Sequence, residues 1–150
     1  MLKIDEIVSS LGSIEEGNDD IELLVGWDAK DILNKTGIEK RYIASNDESA
    51  ESLALQAVRK IDINKIKDCD LILSVSNTQH NDFPTIAHYV YCELGIDVKI
   101  KCLGFNGGCT GFVDAIELVY SFFNSGFSKK ALIINADTYS KYVYSVSMEP

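Results

Sequence analysis

A cysteine that follows two glycines is the residue of this chain best suited to covalent chemistry. Gly107, Gly108 and Cys109 come after a short apolar run and before a long helical pattern. The glycines permit a sharp turn with positive φ and close backbone approach, which predicts Cys109 where that turn becomes a helix. The unpaired N–H groups and positive dipole of a helix start favour a nucleophilic thiolate and could hold an oxyanion on a bound acyl group. The alternative is a buried structural cysteine beside a tight turn, because free cysteines are among the most buried residues.

The elements around this cysteine alternate between strands and helices. Apolar runs at 70–75, 98–105 and 131–136 predict strands, the first of them buried because its apolar residues occupy both parities. An apolar face at helical spacing predicts a helix from Phe112 to Phe123. This alternation predicts an α/β fold with a largely parallel sheet covered by helices on both faces. Functional sites in such sheets lie at the carboxyl ends of strands, as Cys109 and the polar loop at 77–83 are predicted to do.

The remaining segments are predicted to contain one further strand and several helices. The strand is placed at 3–11, before a polar, turn-rich stretch at 12–18, and an extended segment is expected at 36–43. The helices are expected at 20–25, at 29–35, after an acidic cap at 46–49 as far as Ile61, and from Pro84 to Leu94. Asp28 is predicted to cap the second of these helices and Gly37 to end it.

The composition narrows the kinds of partner. The net charge is −9 with 14 basic residues and no long basic run, which argues against nucleic acids and anionic membranes as partners. No apolar run reaches the roughly 18 residues of a membrane span, and early acidic residues argue against a secretory signal. The four cysteines show no metal-ligand spacing, so no metal site is predicted and reduced thiols in the cytoplasm are expected.

Several short stretches together resemble the N-terminal half of the β-ketoacyl-acyl carrier protein synthase III family, within the thiolase superfamily. They follow the family's order and spacing and cover residues 35–44, 48–50, 70–73, 83–85, 106–112 and 135–142. The stretch at 106–112 reads Asn-Gly-Gly-Cys-Thr-Gly-Phe. The resemblance implies a thiolase-like half-fold. Residues 1–150 are therefore expected to form the N-terminal domain of a condensing enzyme, as a fragment or truncated form without the C-terminal half.

The resemblance also implies a decarboxylating Claisen condensation. Cys109 matches the family's acyl-accepting nucleophile, with its backbone N–H in the oxyanion hole. Asn106, Gly107 and Gly108 border it and are candidate substrate-binding residues. The implied substrates are an acyl thioester of coenzyme A or acyl carrier protein and a malonyl-acyl carrier protein, with acyl carrier protein as partner and no cofactor.

Two other residues are candidate substrate-binding residues by resemblance. Phe83 matches a residue that reaches towards the partner subunit's acyl pocket in family dimers; a plain anchor packing on Pro84 is the alternative. Lys35 matches an arginine that holds coenzyme A in many family members. The accompanying tryptophan is not matched, because Asp31 stands near its position and Trp27 comes four residues earlier. This departure favours a donor bound to a carrier protein over acyl-CoA.

The family's catalytic histidine and asparagine come from the second half of its fold and have no match in this chain. His80 and His88 are predicted to be surface or packing residues, and Arg41, which matches a recurrent family arginine, is predicted to pair with local acids. In the family the strand before the nucleophile continues the sheet across a dimer axis. A homodimer is therefore expected through residues 98–105, whose apolar edge would otherwise favour aggregation.

Two alternatives to a condensing acyltransferase remain open. The first is a non-catalytic subunit that binds an acyl group or carrier protein, or acts as a scaffold in a heteromer. The missing histidine and asparagine favour it, and the intact Asn-Gly-Gly-Cys motif disfavours it. The second keeps the chemistry of Cys109 but transfers the acyl group to an amine, an alcohol or water. Because a general base and carbanion-stabilising contacts are missing, residues 1–150 alone are not expected to complete a condensation.

Overall fold

The computed structural model describes residues 2–79 and 84–142, without the side chains of Leu24 and Val25. The chain divides into two compact units. One unit contains the described residues up to Ser10 together with those from Ser49 to Tyr139, and it holds the cysteine turn. The other runs from Leu11 to Glu48 and includes the described residues after Tyr139.

The unit that begins at Leu11 contains a two-stranded antiparallel sheet and two helices. Its elements are β1 (Ile14–Gly17), α1 (Asn18–Val25), α2 (Ala29–Thr36) and β2 (Lys40–Ile43). The Asp28 side chain accepts hydrogen bonds from the N–H groups of Lys30 and Asp31, so the predicted cap of α2 is confirmed. Gly37 ends α2 at φ +70°, which confirms the predicted stop.

The larger unit is an α/β structure around a parallel sheet. Its elements are α3 (Ala50–Val58), α4 (Ile63–Lys67), β3 (Leu71–Val75), α5 (Ile86–Glu93), β4 (Lys101–Phe105), a single 3-10 turn (Gly108–Thr110), α6 (Gly111–Asn124) and β5 (Ala131–Asn135). The three strands are all parallel, in the order β4–β3–β5. The predicted α/β class and the three predicted strands of this sheet are confirmed.

The core lies on both faces of this sheet. All five residues of β3 are buried, because β3 has a strand on each side and helices above and below. On one face, buried residues of α3 and α5 pack around Ile72. On the other face, α6 places Ala115 and Val119 in one buried cluster with Val75. This double cover explains why β3 has apolar residues at both parities.

The strand predicted at 3–11 is wrong, since this segment has no regular structure and the first strand is β1. A strand requires a neighbouring strand for its backbone N–H and C=O groups. The segment is instead attached by side-chain bonds. Ser10 Oγ donates to Gln56 Oε1 at 3.0 Å, and Lys60 Nζ donates to the Ser9 carbonyl at 2.6 Å. The polar stretch expected before α1 contains β1, whose partner β2 lies far along the chain.

Several element boundaries differ from the prediction, three of them in the larger unit around the parallel sheet. The helix α3 ends at Val58, three residues early, because the N–H groups of Lys60 and Ile61 bond to carbonyls only three residues back. Pro84 lies outside α5, whose N-cap is Thr85. The strand β4 begins at Lys101, which pairs with Leu71, so it starts where its partner β3 starts.

The strand β4 forms one edge of the three-stranded sheet. Among the described residues no strand pairs with its outer edge, and the pairing predicted there between two copies of the chain stays a prediction. Within residues 2–79 and 84–142, no helix has both the length and the apolar character needed to cross a membrane.

Candidate active site

Cys109 lies in the 3-10 turn between β4 and α6, at the carboxyl edge of the parallel sheet. Its side chain is exposed, so the alternative of a buried structural cysteine is wrong. The turn leads directly into α6, which is 14 residues long and begins at Gly111. Cys109 therefore lies beside the partial positive charge of a long helix start, as predicted. The N–H of Gly111, the first residue of α6, is bonded to the Gly108 carbonyl.

Glycines let β4, β3 and α6 come together at this turn. Gly108 has φ +55°, the left-handed conformation that glycine adopts without strain. A Cβ on Gly107 would collide with the backbone of Gly111. A Cβ on Gly111 would lie 2.5 Å from Cγ1 of Val75 in β3. The prediction of positive φ and close approach is confirmed, with the positive φ at Gly108 and the close approach at Gly107.

A hydrogen-bond network joins the loops that follow all three strands. Asp137, after β5, accepts from the Asn77 N–H at 2.7 Å and from Asn77 Nδ2 at 3.3 Å, one bond to each carboxylate oxygen. Asn77, after β3, accepts through Oδ1 from the Gly108 N–H at 2.9 Å. Asn106 Oδ1, 3.2 Å away, shares that N–H. The residue before Cys109 is thus held by two side-chain amides, one of them fixed by a carboxylate.

Hydroxyl groups secure both ends of this network. Thr78 Oγ1 donates to Asp137 Oδ1 at 3.1 Å and accepts from the Thr138 N–H at 2.7 Å. At the other end, Thr110 Oγ1 lies 3.1 Å from the Gly107 carbonyl and 2.9 Å from the carboxylate of Asp114 in the first turn of α6. The turn that carries Cys109 is therefore bonded on both sides of the cysteine.

The phenol of Tyr139 borders the same turn. Partial desolvation of the phenol raises its pKa, and the charges of Asp137 and Cys109 act in the same direction against a smaller opposing effect of Asn77. Half of the Tyr139 side chain is exposed. Because this pKa lies above its usual range, Tyr139 is a neutral phenol at physiological pH.

The other predicted site residues lie elsewhere. Lys35 is exposed on α2 in the smaller unit, with its Nζ 5.2 Å from the centre of the Trp27 ring. Phe83 and His80 lie outside the described residues. His88 is exposed on α5, and its Nδ1 is 2.9 Å from Thr85 Oγ1, so the prediction of a surface residue is confirmed.

Arg41 pairs locally, as predicted. Its Nη2 donates to Asn18 Oδ1 at 3.0 Å and its Nη1 lies 3.8 Å from the carboxylate of Glu16. All three residues belong to the smaller unit, so Arg41 acts in its packing. No three His, Cys, Asp or Glu side chains of the described part of the chain are grouped as a metal site requires.

The sequence pattern does not single out Asn77 or Asp137 as site residues. The available signal is their position, because each is the second residue after a strand of the parallel sheet. Polar residues at carboxyl ends of neighbouring strands meet at one edge of a sheet. Knowing the strand order β4–β3–β5 would have been enough to bring these two residues to the cysteine turn.

The four cysteines differ in exposure, which predicts their order of reaction. Cys109 and Cys92 are exposed, whereas Cys69 is buried and Cys102 is half-buried. Burial raises the pKa of Cys69 above its usual range. Burial, with a smaller effect of Cys92, raises the pKa of Cys102 to about 11.

Iodoacetamide at pH 8 is expected to modify Cys109 and Cys92 at least about tenfold faster than Cys102, because only the thiolate reacts and about one Cys102 in 1,000 is ionised at that pH. The rate at Cys102 should rise about tenfold for each pH unit until its pKa is passed. Peptide mass spectrometry at timed intervals measures both rates. Labelling of Cys69 and Cys102 before Cys109 would contradict an accessible thiol at the turn.

Comparison with protein-family models finds one match. Residues 97–145, which include β4, the cysteine turn, α6 and β5, match the model described as 3-oxoacyl-[acyl-carrier-protein (ACP)] synthase III. Curated relatives extend the similarity over most of the chain. The β-ketoacyl-[acyl-carrier-protein] synthase III of Neisseria gonorrhoeae is 33% identical over 147 residues, which is 94% of this chain and 45% of the relative. That of Fusobacterium nucleatum is 35% identical over 130 residues, 84% of this chain and 39% of the relative.

Solved structures are similar in fold as well. A crystal structure of a 3-oxoacyl-(acyl-carrier-protein) synthase III superposes with a TM-score of 0.83 at 32% identity, covering 92% of this chain and 42% of that one. The synthase III from Aquifex aeolicus superposes with a TM-score of 0.77 at 28% identity, covering 89% and 45%. The fold is therefore thiolase-like, and the chain spans less than half the length of the relatives it matches.

Proposed function

The chain belongs to the 3-oxoacyl-[acyl-carrier-protein] synthase III family, and from this premise we propose that Cys109 is its acyl-accepting nucleophile. The thiolate of Cys109 attacks the carbonyl carbon of an acyl thioester. The bond to the donor sulfur breaks, and the donor leaves as a thiol after it takes up a proton. The product is an acyl group in thioester linkage to Cys109, and the step requires no cofactor or metal.

The observation that carries this proposal is the exposed position of Cys109 directly before α6. A tetrahedral oxyanion formed there lies at the partly positive N-terminal end of a 14-residue helix. The backbone N–H of Cys109 itself is the donor we assign to the oxyanion hole, with Asn106, Gly107 and Gly108 shaping the turn around the acyl group. Preorganised donors of this kind stabilise the transition state more than the substrate.

The complete reaction that we propose for the whole protein is a decarboxylating condensation. A malonyl thioester on acyl carrier protein loses CO₂, and the resulting carbanion attacks the acyl carbon on Cys109. A carbon–carbon bond forms, the bond to Cys109 sulfur breaks, and the thiolate is regenerated beside a 3-oxoacyl thioester. The present chain provides the acylation half of this sequence, because it carries the nucleophile and its turn.

The acyl donor is proposed to be a carrier-protein thioester. Trp27 and Lys35 form an exposed aromatic–cation pair that could contact a ligand. However, Asp31 is exposed on the same helix as Lys35, and a negative charge there disfavours the phosphates of coenzyme A. A pantetheine thioester on a carrier protein does not need that adenine-end contact.

Intact-mass spectrometry tests this proposal. The chain is incubated separately with an acyl thioester of acyl carrier protein and with acyl-CoA, and the adduct is located by peptide mapping. We expect an adduct on Cys109 that forms faster from the carrier protein. A folded protein, by circular dichroism, that gains no adduct from either donor would contradict the proposal and favour a scaffold role.

A further inference from the structure

The carboxylate of Asp137, in the loop after β5, accepts hydrogen bonds from the loop that follows the neighbouring strand β3. One oxygen accepts from the backbone N–H of Asn77 and the other from the Asn77 side-chain amide, at 2.7 and 3.3 Å. These two bonds leave the Asn77 amide in a single orientation, with its NH₂ towards Asp137. Its oxygen is therefore directed away from Asp137 and accepts from the Gly108 N–H at 2.9 Å.

The conformation of Gly108 sets the direction of the residue that follows it. Gly108 has φ +55°, and the next residue is Cys109. A glycine with an unrestrained N–H can populate several φ regions at similar cost. A change at Gly108 would rotate the following peptide groups and redirect both the Cys109 thiol and the N–H groups around it.

The strand ladder does not hold this point by itself. Its last bonds are from the Ser76 N–H to the Phe105 carbonyl, at 3.3 Å, and from the Ala136 N–H to the Val75 carbonyl, at 3.2 Å. The acceptors of these bonds, Phe105 and Val75, are the last residues of β4 and β3, so neither bond reaches the cysteine turn itself. The Asn77 amide is a connection from the central strand to the turn itself.

We propose that Asp137 and Asn77 are positioning residues, in which Asp137 orients the Asn77 amide and that amide fixes Gly108 so that Cys109 meets an acyl carbonyl in the reactive geometry. This inference rests on the proposed function of Cys109 and adds two residues to it. The network acts on acyl transfer, which needs both the thiol and the oxyanion donors in place. Alkylation by iodoacetamide forms no oxyanion and depends only on the exposure and ionisation of the thiol.

The two reactions therefore separate a positioning role from a structural one. Asn77→Ala is expected to slow acylation of Cys109 by an acyl-carrier-protein thioester by about 10- to 100-fold. The rate of iodoacetamide labelling at Cys109 should stay within about threefold of the unmodified protein. The matched control is Asn18→Ala, which removes bonds to the Ile38 carbonyl and to Arg41 in the other unit. It should lower the melting temperature and leave both rates unchanged.

Asp137→Asn tests the connection between the two residues. It replaces an acceptor oxygen with an NH₂ group that cannot accept from Asn77. Slower acylation of Cys109 with nearly unchanged iodoacetamide labelling is therefore expected, and the loss in acylation rate should be similar to or smaller than that of Asn77→Ala. The double variant Asn77→Ala/Asp137→Asn should be acylated no more slowly than Asn77→Ala alone, because both changes break the same chain of contacts.

Equal acylation rates in Asn77→Ala and the unmodified protein would overturn the inference. Equal losses in the acylation and labelling rates of Asn77→Ala would overturn it as well. Absence of acylation in the unmodified protein, with labelling intact, would overturn the proposed function and this inference with it.

Discussion

Replacing Cys109 by alanine is expected to reduce acyl-adduct formation from an acyl-carrier-protein thioester by at least about 100-fold, because the alanine methyl group has no atom that can form a thioester. Cys109 is exposed, and the turn that carries it lies at the partly positive N-terminal end of α6, which favours a thiolate. Cys69 and Cys102 are protected by burial, so they should not replace it. Total adduct by intact mass measures the change.

Cys92→Ala is the matched control for this prediction. Cys92 is also an exposed thiol, but it lies in the last turn of α5, at the partly negative end of that helix. It is therefore expected to lose iodoacetamide labelling at one site while keeping the acyl adduct. If Cys92→Ala lost the adduct and Cys109→Ala kept it, the assignment of the nucleophile would be wrong.

The parts of the fold that depend on local sequence could be predicted. Gly108 adopts positive φ and Asp28 caps α2, because both depend on the chemistry of one residue and its near neighbours. The buried strand β3 could also be predicted from the sequence. A strand covered on both faces needs apolar residues at both odd and even positions. The position of Cys109 at a strand-to-helix turn follows from the same local signals.

The first strand could not be predicted in the same way. The residues of β1 are Ile14-Glu15-Glu16-Gly17, which have little strand character of their own. They form a strand because Ile14 pairs with Ile43, a residue far away in sequence. The more apolar segment at 3–11 has no such partner and stays irregular. Pairing over long sequence distances decides both outcomes, and no local pattern carries that information.

The hydrogen-bond network around the cysteine turn also depends on residues that are far apart in sequence. Asn77 is 31 residues from Gly108 and 60 from Asp137 in sequence. The three meet because β3 is the central strand, so the loop after it can reach the loops after both neighbours. The residue types are readable from the sequence, but their contacts depend on the strand order. The position of Cys109 at a strand-to-helix turn was thus predictable from the sequence, whereas the contacts of Asn77 and Asp137 with that turn were not.

Replacing Gly111 by alanine is expected to lower the free energy of unfolding by about 1–3 kcal/mol through overpacking. Gly111 has φ −52° and ψ −34°, which any residue adopts in a helix, so the backbone adds no strain. The cost is steric, because the new Cβ would lie 2.5 Å from Cγ1 of Val75. Valine is stiff at χ1, and Val75 is buried in the central strand, so it cannot move aside easily. Urea denaturation followed by circular dichroism measures the change.

A double-mutant cycle shows whether this one contact is responsible. Val75→Ala removes the atom that the new methyl group would meet and leaves a space for it, so the double variant should be more stable than the sum of the two changes predicts, by about 0.5–3 kcal/mol. Leu71→Ala, in the same buried cluster, is the matched control. It lies four residues, about 13 Å, along β3 from Val75, and changes at that distance add within about 0.5 kcal/mol. Additivity in both pairs would mean that Gly111 is not held against Val75. Coupling with Val75 alone would show that the start of α6, and with it the turn that carries Cys109, is set by its contact with the central strand.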